Sequence, residues 1–365
     1  MPNGVIIVRP ASRNKGDGAQ HISCSSEAGT QCPTSEEGDP GGSATPAASP
    51  RFLLAYGSQR ELRRARITGP FRPACQQRPV HNGIMPPRVS VLMLTYNRPQ
   101  FIGKAIESIL AQQFQEWELL VVHDGRNEEI PVVMREWQQR DRRILYFHRE
   151  IPGNIAEASN FGLSHARGEY IAVLDDDDYW ARPDKLTKQT AFLDDHPDHC
   201  CCGGGVIVVD PAGREQMRYL KPEHDEQIKR RALMANPLAH STTLYRRDSA
   251  LRTGGYDETL AGFQDWDLWL KLGKLGKLYN FPEYFLHYRV WQGSGSFHQS
   301  KGNTESALRI TRRHRHEYAG FAIAFPMALL YHAYAHLPMG LQRISYSSLS
   351  RLKKSVFSHR PAPTA

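Results

Sequence analysis

From about residue 87 onward, short apolar runs alternate with longer segments in which apolar residues recur every three or four positions. Val89-Ser-Val-Leu-Met-Leu-Thr95 is nearly continuous and stops at Tyr96-Asn97-Arg98-Pro99, which predicts a buried strand and a turn whose proline opens a helix. Phe101, Ile102, Ala105, Ile106, Ile109 and Leu110 then keep helical spacing. Trp117-Glu-Leu-Leu-Val-Val122 repeats the strand pattern and ends in His123-Asp124-Gly125. A mixed helix through Val132, Val133, Met134 and Trp137 leads to a strand, Ile144-Leu-Tyr-Phe147. A helix around Ala156 to Ala166 leads to the strand Tyr170-Ile-Ala-Val-Leu174. This alternation predicts an α/β fold with a doubly wound, mostly parallel sheet and helices on both faces. Each strand ends in a polar tip, where open α/β sheets bind ligands.

The tip of the last of these strands carries four consecutive carboxylates, Asp175 to Asp178. Like charges this close oppose one another's ionisation, so the cluster calls for a cation or for hydrogen-bond donors. Hard divalent cations such as Mg2+ or Mn2+ take carboxylate oxygens and complete their shell with water and substrate phosphates. The competing interpretation is a solvated acidic turn capping a helix that starts near Pro183.

Taken in order, several segments resemble the successive signatures of family 2 glycosyltransferases with the GT-A fold. They are Val91-Leu-Met-Leu-Thr-Tyr-Asn-Arg98, Val122-His-Asp-Gly125, Asn154 with Asn160-Phe-Gly162, Gly168-Glu-Tyr-Ile171 and Leu174-Asp-Asp-Asp-Asp178. Gly255-Tyr-Asp-Glu258 and Gln264-Asp-Trp-Asp-Leu-Trp-Leu270 are similar to that family's acceptor-side acidic motif. The resemblance implies transfer of a sugar from a nucleotide-sugar to a hydroxyl acceptor, with inversion, in cell-surface glycan or polysaccharide synthesis. It also implies a divalent metal, Mn2+ or Mg2+.

Carried onto this chain, the resemblance puts Thr95, Asn97, Arg98, Asp124, Asn154, Asp175 and Asp176 on the nucleotide-sugar. Thr95 and Asp124 match positions that hold the base and ribose, and a carboxylate accepting from a base imino N–H is sound chemistry. Asp175 and Asp177 match the Asp-x-Asp acids, with Asp177 on the metal and Asp175 towards ribose or metal. Pro183 lies one residue further from the acids than the family pattern, which leaves the register within Asp175 to Asp178 open. Ser159 stands where relatives often carry arginine, so Arg98 or Arg289 is the candidate cation near the nucleotide. Asp265 matches the catalytic base, which must take the acceptor hydroxyl proton. Asp267, two residues along a helix, faces elsewhere. The bland interpretation of Asp265 is an acidic helix start ahead of Trp266, Leu268 and Trp269.

Cys200-Cys-Cys202 lacks zinc-ligand spacing and reads as small strand residues before Val206-Ile-Val-Val209. Cys24, Cys32 and Cys75 form no disulfide framework, and His287 and His298, near the end of the motif region, stand where a histidine could complete a metal site but read rather as surface or core residues. The formal charge of +8 suits an anionic nucleotide-sugar and an anionic membrane surface. A nucleic-acid role would require a concentrated basic-aromatic patch, which is missing. The expected location is cytoplasmic, for no long membrane span or N-terminal signal is apparent.

Three segments follow from composition. Residues 1–86 are rich in Gly, Pro, Ser and charge and read as a disordered extension, dispensable before Met85 and not necessarily native. Residues 87–300 form the catalytic domain, with the nucleotide half to about 180 and the acceptor half after it. Residues 301–365 are helical and basic. Within them, Tyr318 to Leu337 is apolar between basic flanks, which fits either an interfacial helix on an anionic leaflet beside a lipid-linked acceptor or a helix packed on the domain. The rival functions are a phosphatase with an Asp-x-Asp strand tip, a nucleotidyltransferase of related fold and a non-catalytic glycan-binding domain.

Overall fold

The computed structural model describes residues 87–291 and 301–337, with the backbone of Ile6–Val8. His298, the first three cysteines and nearly all of the expected N-terminal extension lie outside the described residues. Ile6–Val8 (β1) departs from the expected disorder: these β-branched residues pair in parallel with Ile144–Arg149 (β4).

The expected elements form in order. Val89–Thr95 (β2) leads to Pro99–Leu110 (α1), Trp117–His123 (β3) to Glu129–Arg140 (α2), and β4 to Ile155–His165 (α3) and then Tyr170–Val173 (β5). Val89, Val91 and Met93 of β2, with Trp117, Leu119 and Val121 of β3, pack on one side of the sheet against α1 and α2. The intervening Leu92, Leu120 and Val122 point to the other side, towards α3. This period-2 alternation with both sides apolar is what a parallel sheet covered by helices requires.

Beyond β5 come Tyr179–Trp180 (β6), Lys185–Asp195 (α4), His199–Val209 (β7), Glu215–Tyr219 (β8) and Asp225–Arg231 (α5). The chain continues through Leu244–Arg246 (β9), Arg247–Arg252 (α6), Gln264–Leu275 (α7) and Lys277–Arg289 (β10). Strand order is β1-β4-β3-β2-β5-β9-β7-β10-β6, with β8 paired to β7. Strands β1 to β5 pair with one another in parallel, whereas β9 runs antiparallel to both β5 and β7 and β6 antiparallel to β10, so the rest of the sheet is mixed.

Strand β7 starts well before the expected Val206 and takes in the cysteines and Gly203-Gly-Gly205. All three cysteines are buried and free. A Cβ on Gly204 would stand 2.5 Å from the Phe285 ring, so the glycine lets β10 close over β7.

Lys301–Arg313 (α8) and Phe321–Ala335 (α9) pack on the acceptor half. Ile310, Tyr318 and Ala324 share a core with Trp266 and Leu270 of α7. Asp267 ties the arrangement together. Fully buried, it accepts from Arg313 Nη1 and His314 Nε2, each at 2.9 Å, and pairs with Lys271 Nζ at 2.8 Å. Burial works against its ionisation, but the His314 hydrogen bond together with Lys271 and Arg313 holds the carboxyl below its usual range.

Because that folded pKa is depressed, the stabilisation is present above the ordinary carboxylate value of about 4 and is lost as pH falls through the folded value. Asp267→Ala is expected to cost about 3–5 kcal/mol, since it leaves the buried His314 and the partly buried Lys271 without their carboxylate. Thermal unfolding across pH should show a lower Tm at neutrality and a weaker acid dependence in the variant.

Candidate active site

A cavity of about 1350 Å3 runs from the C-terminal tips of β2 and β3 to residues of α7, α8 and α9. At the sheet end it is lined by Thr95, Asn97, Arg98, Asp124, Asn154, Asp175 and Asp177, and at the far end by Asp265. Residues expected on the donor, the metal and the acceptor therefore share one continuous space.

The two strand tips are held together by close backbone approach. A Cβ at Gly125 would fall 2.3 Å from the Tyr96 carbonyl oxygen, so only glycine lets the β3 tip sit under the β2 turn. Asp124 accepts from Arg149 Nη1 at 2.6 Å and from the Gly153 amide at 3.1 Å. Burial raises its pKa against these partners. Arg149, which was not among the expected site residues, thus puts a cation beside Asp124. Ser159 is itself buried, with its hydroxyl donating to Ile155 O in the preceding turn of α3.

The acidic run resolves into two orientations. Asp175 to Asp178 close a turn in which the Asp178 amide donates to Asp175 O at 3.1 Å. Asp175 and Asp177 line the cavity, while Asp176 and Asp178 are buried behind it. Asp176, expected on the donor, does not line the cavity: the turn alternates its side chains, and this one points inward against Arg98 Nη2 at 2.6 Å and the Thr95 hydroxyl. Burial outweighs Arg98 and pushes the Asp176 carboxyl up to about 7. Asp178 is pushed well above its ordinary value, first by burial and then by Asp175 and Asp177. It accepts from Ser241 Oγ at 2.8 Å and from the Arg289 amide at 2.9 Å.

Asp177 has one oxygen engaged by Arg98 Nη1 at 2.6 Å and Trp291 Nε1 at 3.1 Å. Asp175 has one oxygen engaged by Ser241 Oγ at 2.9 Å, and its other oxygen stands 3.9 Å from His240 Nε2. Of the two candidate arginines, Arg98 faces the cavity. Arg289 is buried behind the turn, donating to Asp177 O and Pro211 O with its guanidinium over Phe101. His287 stacks on Tyr179 instead of joining the acids; His240 is the histidine that reaches them.

Asn154 lines the cavity with its side chain committed elsewhere. It caps α3 by accepting from the Glu157 amide at 2.9 Å and donates to Glu258 O at 2.8 Å, so it joins the two halves of the domain. Asn97 is exposed at the β2 turn. Asp265 follows Phe263, whose φ of 57° makes it the one non-glycine left-handed residue among those described. That turn brings Asp265 to the cavity in the first turn of α7. Asn236 Nδ2 donates to Asp265 Oδ2 at 2.6 Å, and Lys221 Nζ donates to Asn236 O at 2.7 Å. Burial lowers the Lys221 ammonium to about 8, with Asp265 opposing the shift.

The profile of Glycosyl transferase family 2 matches residues 90–253. An uncharacterized glycosyltransferase of Methanocaldococcus jannaschii is 31% identical over 211 residues, covering 56% of this chain and 71% of that protein. The chain belongs to glycosyltransferase family 2. This glycosyltransferase is also 28% identical over 217 residues to the amylovoran biosynthesis glycosyltransferase AmsE of Erwinia amylovora, covering 58% of this chain and 79% of that protein. The mannosyltransferase PcManGT of Pyrobaculum calidifontis, solved with GDP-Man and Mn2+, superposes with a TM-score of 0.51 at 18% identity, covering 76% of this chain and 77% of that one. At that identity the likeness establishes the shared GT-A fold.

Among the described residues, Arg98 is the cation that pairs with Asp176. A carboxyl whose folded pKa is raised holds its proton better in the folded state, so its contribution to stability declines as pH rises from about 4 to about 7. Arg98→Ala should therefore lower Tm more at about pH 8 than at about pH 5, where Asp176 is protonated. Parallel melts of the two proteins at both pH values would measure this.

Proposed function

We propose that this glycosyltransferase moves a sugar from a nucleotide-diphosphate donor to a hydroxyl of a glycan or lipid-linked acceptor, with inversion and with a divalent metal, Mn2+ or Mg2+. The carrying observation is that Asp177 and Asp265 line one cavity. The net charge of +8 suits an anionic donor and, for an enzyme working in the cytoplasm, the inner face of an anionic membrane.

The donor set fits a hard cation. Asp175 and Asp177 offer carboxylate oxygens, and no three His, Cys, Asp or Glu among the described residues cluster into an all-protein cage. A metal held by Asp177 and Asp175 would complete its shell with phosphate oxygens and water. When bound, the cation stabilises charge gathering on the departing diphosphate. The mannosyltransferase complex with GDP-Man and Mn2+ supports this assignment.

The chain's own residues supply the rest. Asp124 accepts from the base, and Thr95 closes the base pocket beside it. Asp265 takes the proton of the acceptor hydroxyl as its oxygen bonds to the anomeric carbon and the bond to the diphosphate oxygen breaks on the opposite face. Asn236 fixes one oxygen of Asp265 and so leaves the other for that proton. The stretch from about Cys202 to His240, which holds Lys221, Leu233, Asn236 and Leu238 of the cavity wall, shapes the choice of sugar.

Asp177→Ala should abolish Mn2+-dependent donor binding while the protein stays folded; thermal-shift titration of a nucleotide-sugar panel with and without Mn2+ reads this. Unchanged metal-dependent affinity would move the ligand to another acid of the turn. Asp265→Asn keeps the shape but cannot take the proton, so turnover should fall about a hundredfold or more with donor affinity nearly preserved. Retained turnover in that variant would exclude Asp265 as the base.

A further inference from the structure

Helix α9 has no polar face. From Phe321 to Ala335 its side chains are apolar apart from Tyr331, His332 and Tyr334, and they are so on all sides. One side, with Ala324, Met327, Ala328 and Tyr331, lines the far end of the cavity. The other side is open: Ile323 is 56% exposed, Leu329 51%, Leu330 48% and, just past the helix, Leu337 40%. With exposed Pro326 and Ala333 between them, these residues recur at three- and four-residue intervals and form one stripe along the helix. A soluble helix normally turns polar residues to water on such a face, and a contiguous apolar stripe marks an interaction surface.

Charge and length identify the partner. Exposed Arg309, Arg312 and Arg315 precede the helix, and the sequence after it, residues 338–365, carries Arg343, Arg351, Lys353, Lys354 and Arg360 with no Asp or Glu. Apolar sequence between basic flanks complements an anionic lipid surface. Fifteen residues make a helix of about 22 Å, short of the roughly 30 Å hydrocarbon core. No helix among the described residues is long and apolar enough to cross a membrane. The geometry therefore suits a helix lying in the interface plane.

We propose that the exposed stripe of α9 docks this glycosyltransferase on an anionic bilayer, so that the far end of the cavity opens at the lipid surface. This rests on the reading of that end as the acceptor end. The two sides of one helix would then do two jobs: Ile323, Leu329 and Leu330 enter the lipid headgroup region, while Met327 and Tyr331 form the wall along which a lipid-linked hydroxyl acceptor approaches Asp265. The acceptor need not leave the membrane to reach the base.

Flotation of the full chain with vesicles of phosphatidylcholine and phosphatidylglycerol tests the docking without requiring turnover. The protein should float at low salt and much less with phosphatidylcholine alone. Ile323→Glu combined with Leu330→Glu, on residues outside the cavity wall, should cut the bound fraction about tenfold or more with an unchanged melting profile. Leu330→Trp, which preserves the apolar surface, should raise it. Asp265→Asn should float like the unaltered protein, which separates failure of the docking from failure of the catalytic assignment. The proposal is overturned if the unaltered chain stays with the soluble fraction, if neither α9 variant changes flotation, or if light scattering finds a dimer that Ile323→Glu with Leu330→Glu splits, since the stripe would then be the seat of a second copy.

Discussion

Four carboxylates in a single turn cannot all be ionised at the end of a buried strand unless they are met from several directions, and much of the surrounding structure consists of those meetings. Arg98, from the turn after β2, spans Asp176 and Asp177. Arg289, from the end of β10, donates its amide to Asp178 and its guanidinium to the Asp177 carbonyl. Ser241 reaches both Asp175 and Asp178 from a short turn before β9. The first strand of the nucleotide half, the last strand of the acceptor half and a connection between them thus converge on the same acids. Even so, burial keeps Asp176 and Asp178 disposed towards their protons, so added positive charge on the cavity side is favoured by electrostatics already in place.

Much of this was legible in the sequence, for physical reasons that differ by region. The β2 and β3 strands and α1 follow from hydrophobic period, because a sheet covered on both sides needs apolar residues at every strand position and a helix needs them on one stripe. The alternation that turns Asp175 and Asp177 to the cavity and Asp176 and Asp178 away was not legible, since it depends on the closing turn and not on spacing. His240, Asn236, Lys221 and Arg149 were missed because their partners lie far away in sequence: Ser241, next to His240, meets Asp175 across 66 positions, and Asn236 meets Asp265 across 29. No local pattern announces such contacts. The long β7 escaped because glycine normally weakens a strand, and only the approach of Phe285 explains why glycine stands there.

The division of labour between the halves follows from strand direction. Parallel strands bring all their C-terminal tips to one edge, which gathers Thr95, Asp124 and the acidic turn into a single row. The antiparallel β9 breaks that regularity and returns the chain across the edge, so residues 236–241 cross in front of the strand tips. Loops of this kind can vary in sequence without disturbing the row beneath them, which is consistent with a fold shared at 18% identity.

Asp265 and Asp267 stand two positions apart on α7, one facing the cavity and the other gripped from behind by Arg313 and His314. The proposed proton acceptor is therefore mechanically in series with the C-terminal helices: whatever pulls on α8 is transmitted through the Asp267 ion cluster to the first turn of α7. Shortening the chain within α8 would remove His314 from Asp267 and so disturb the aim of the side chain two positions before it, and a loss of turnover in such a shortened protein would say nothing about where its acceptor resides.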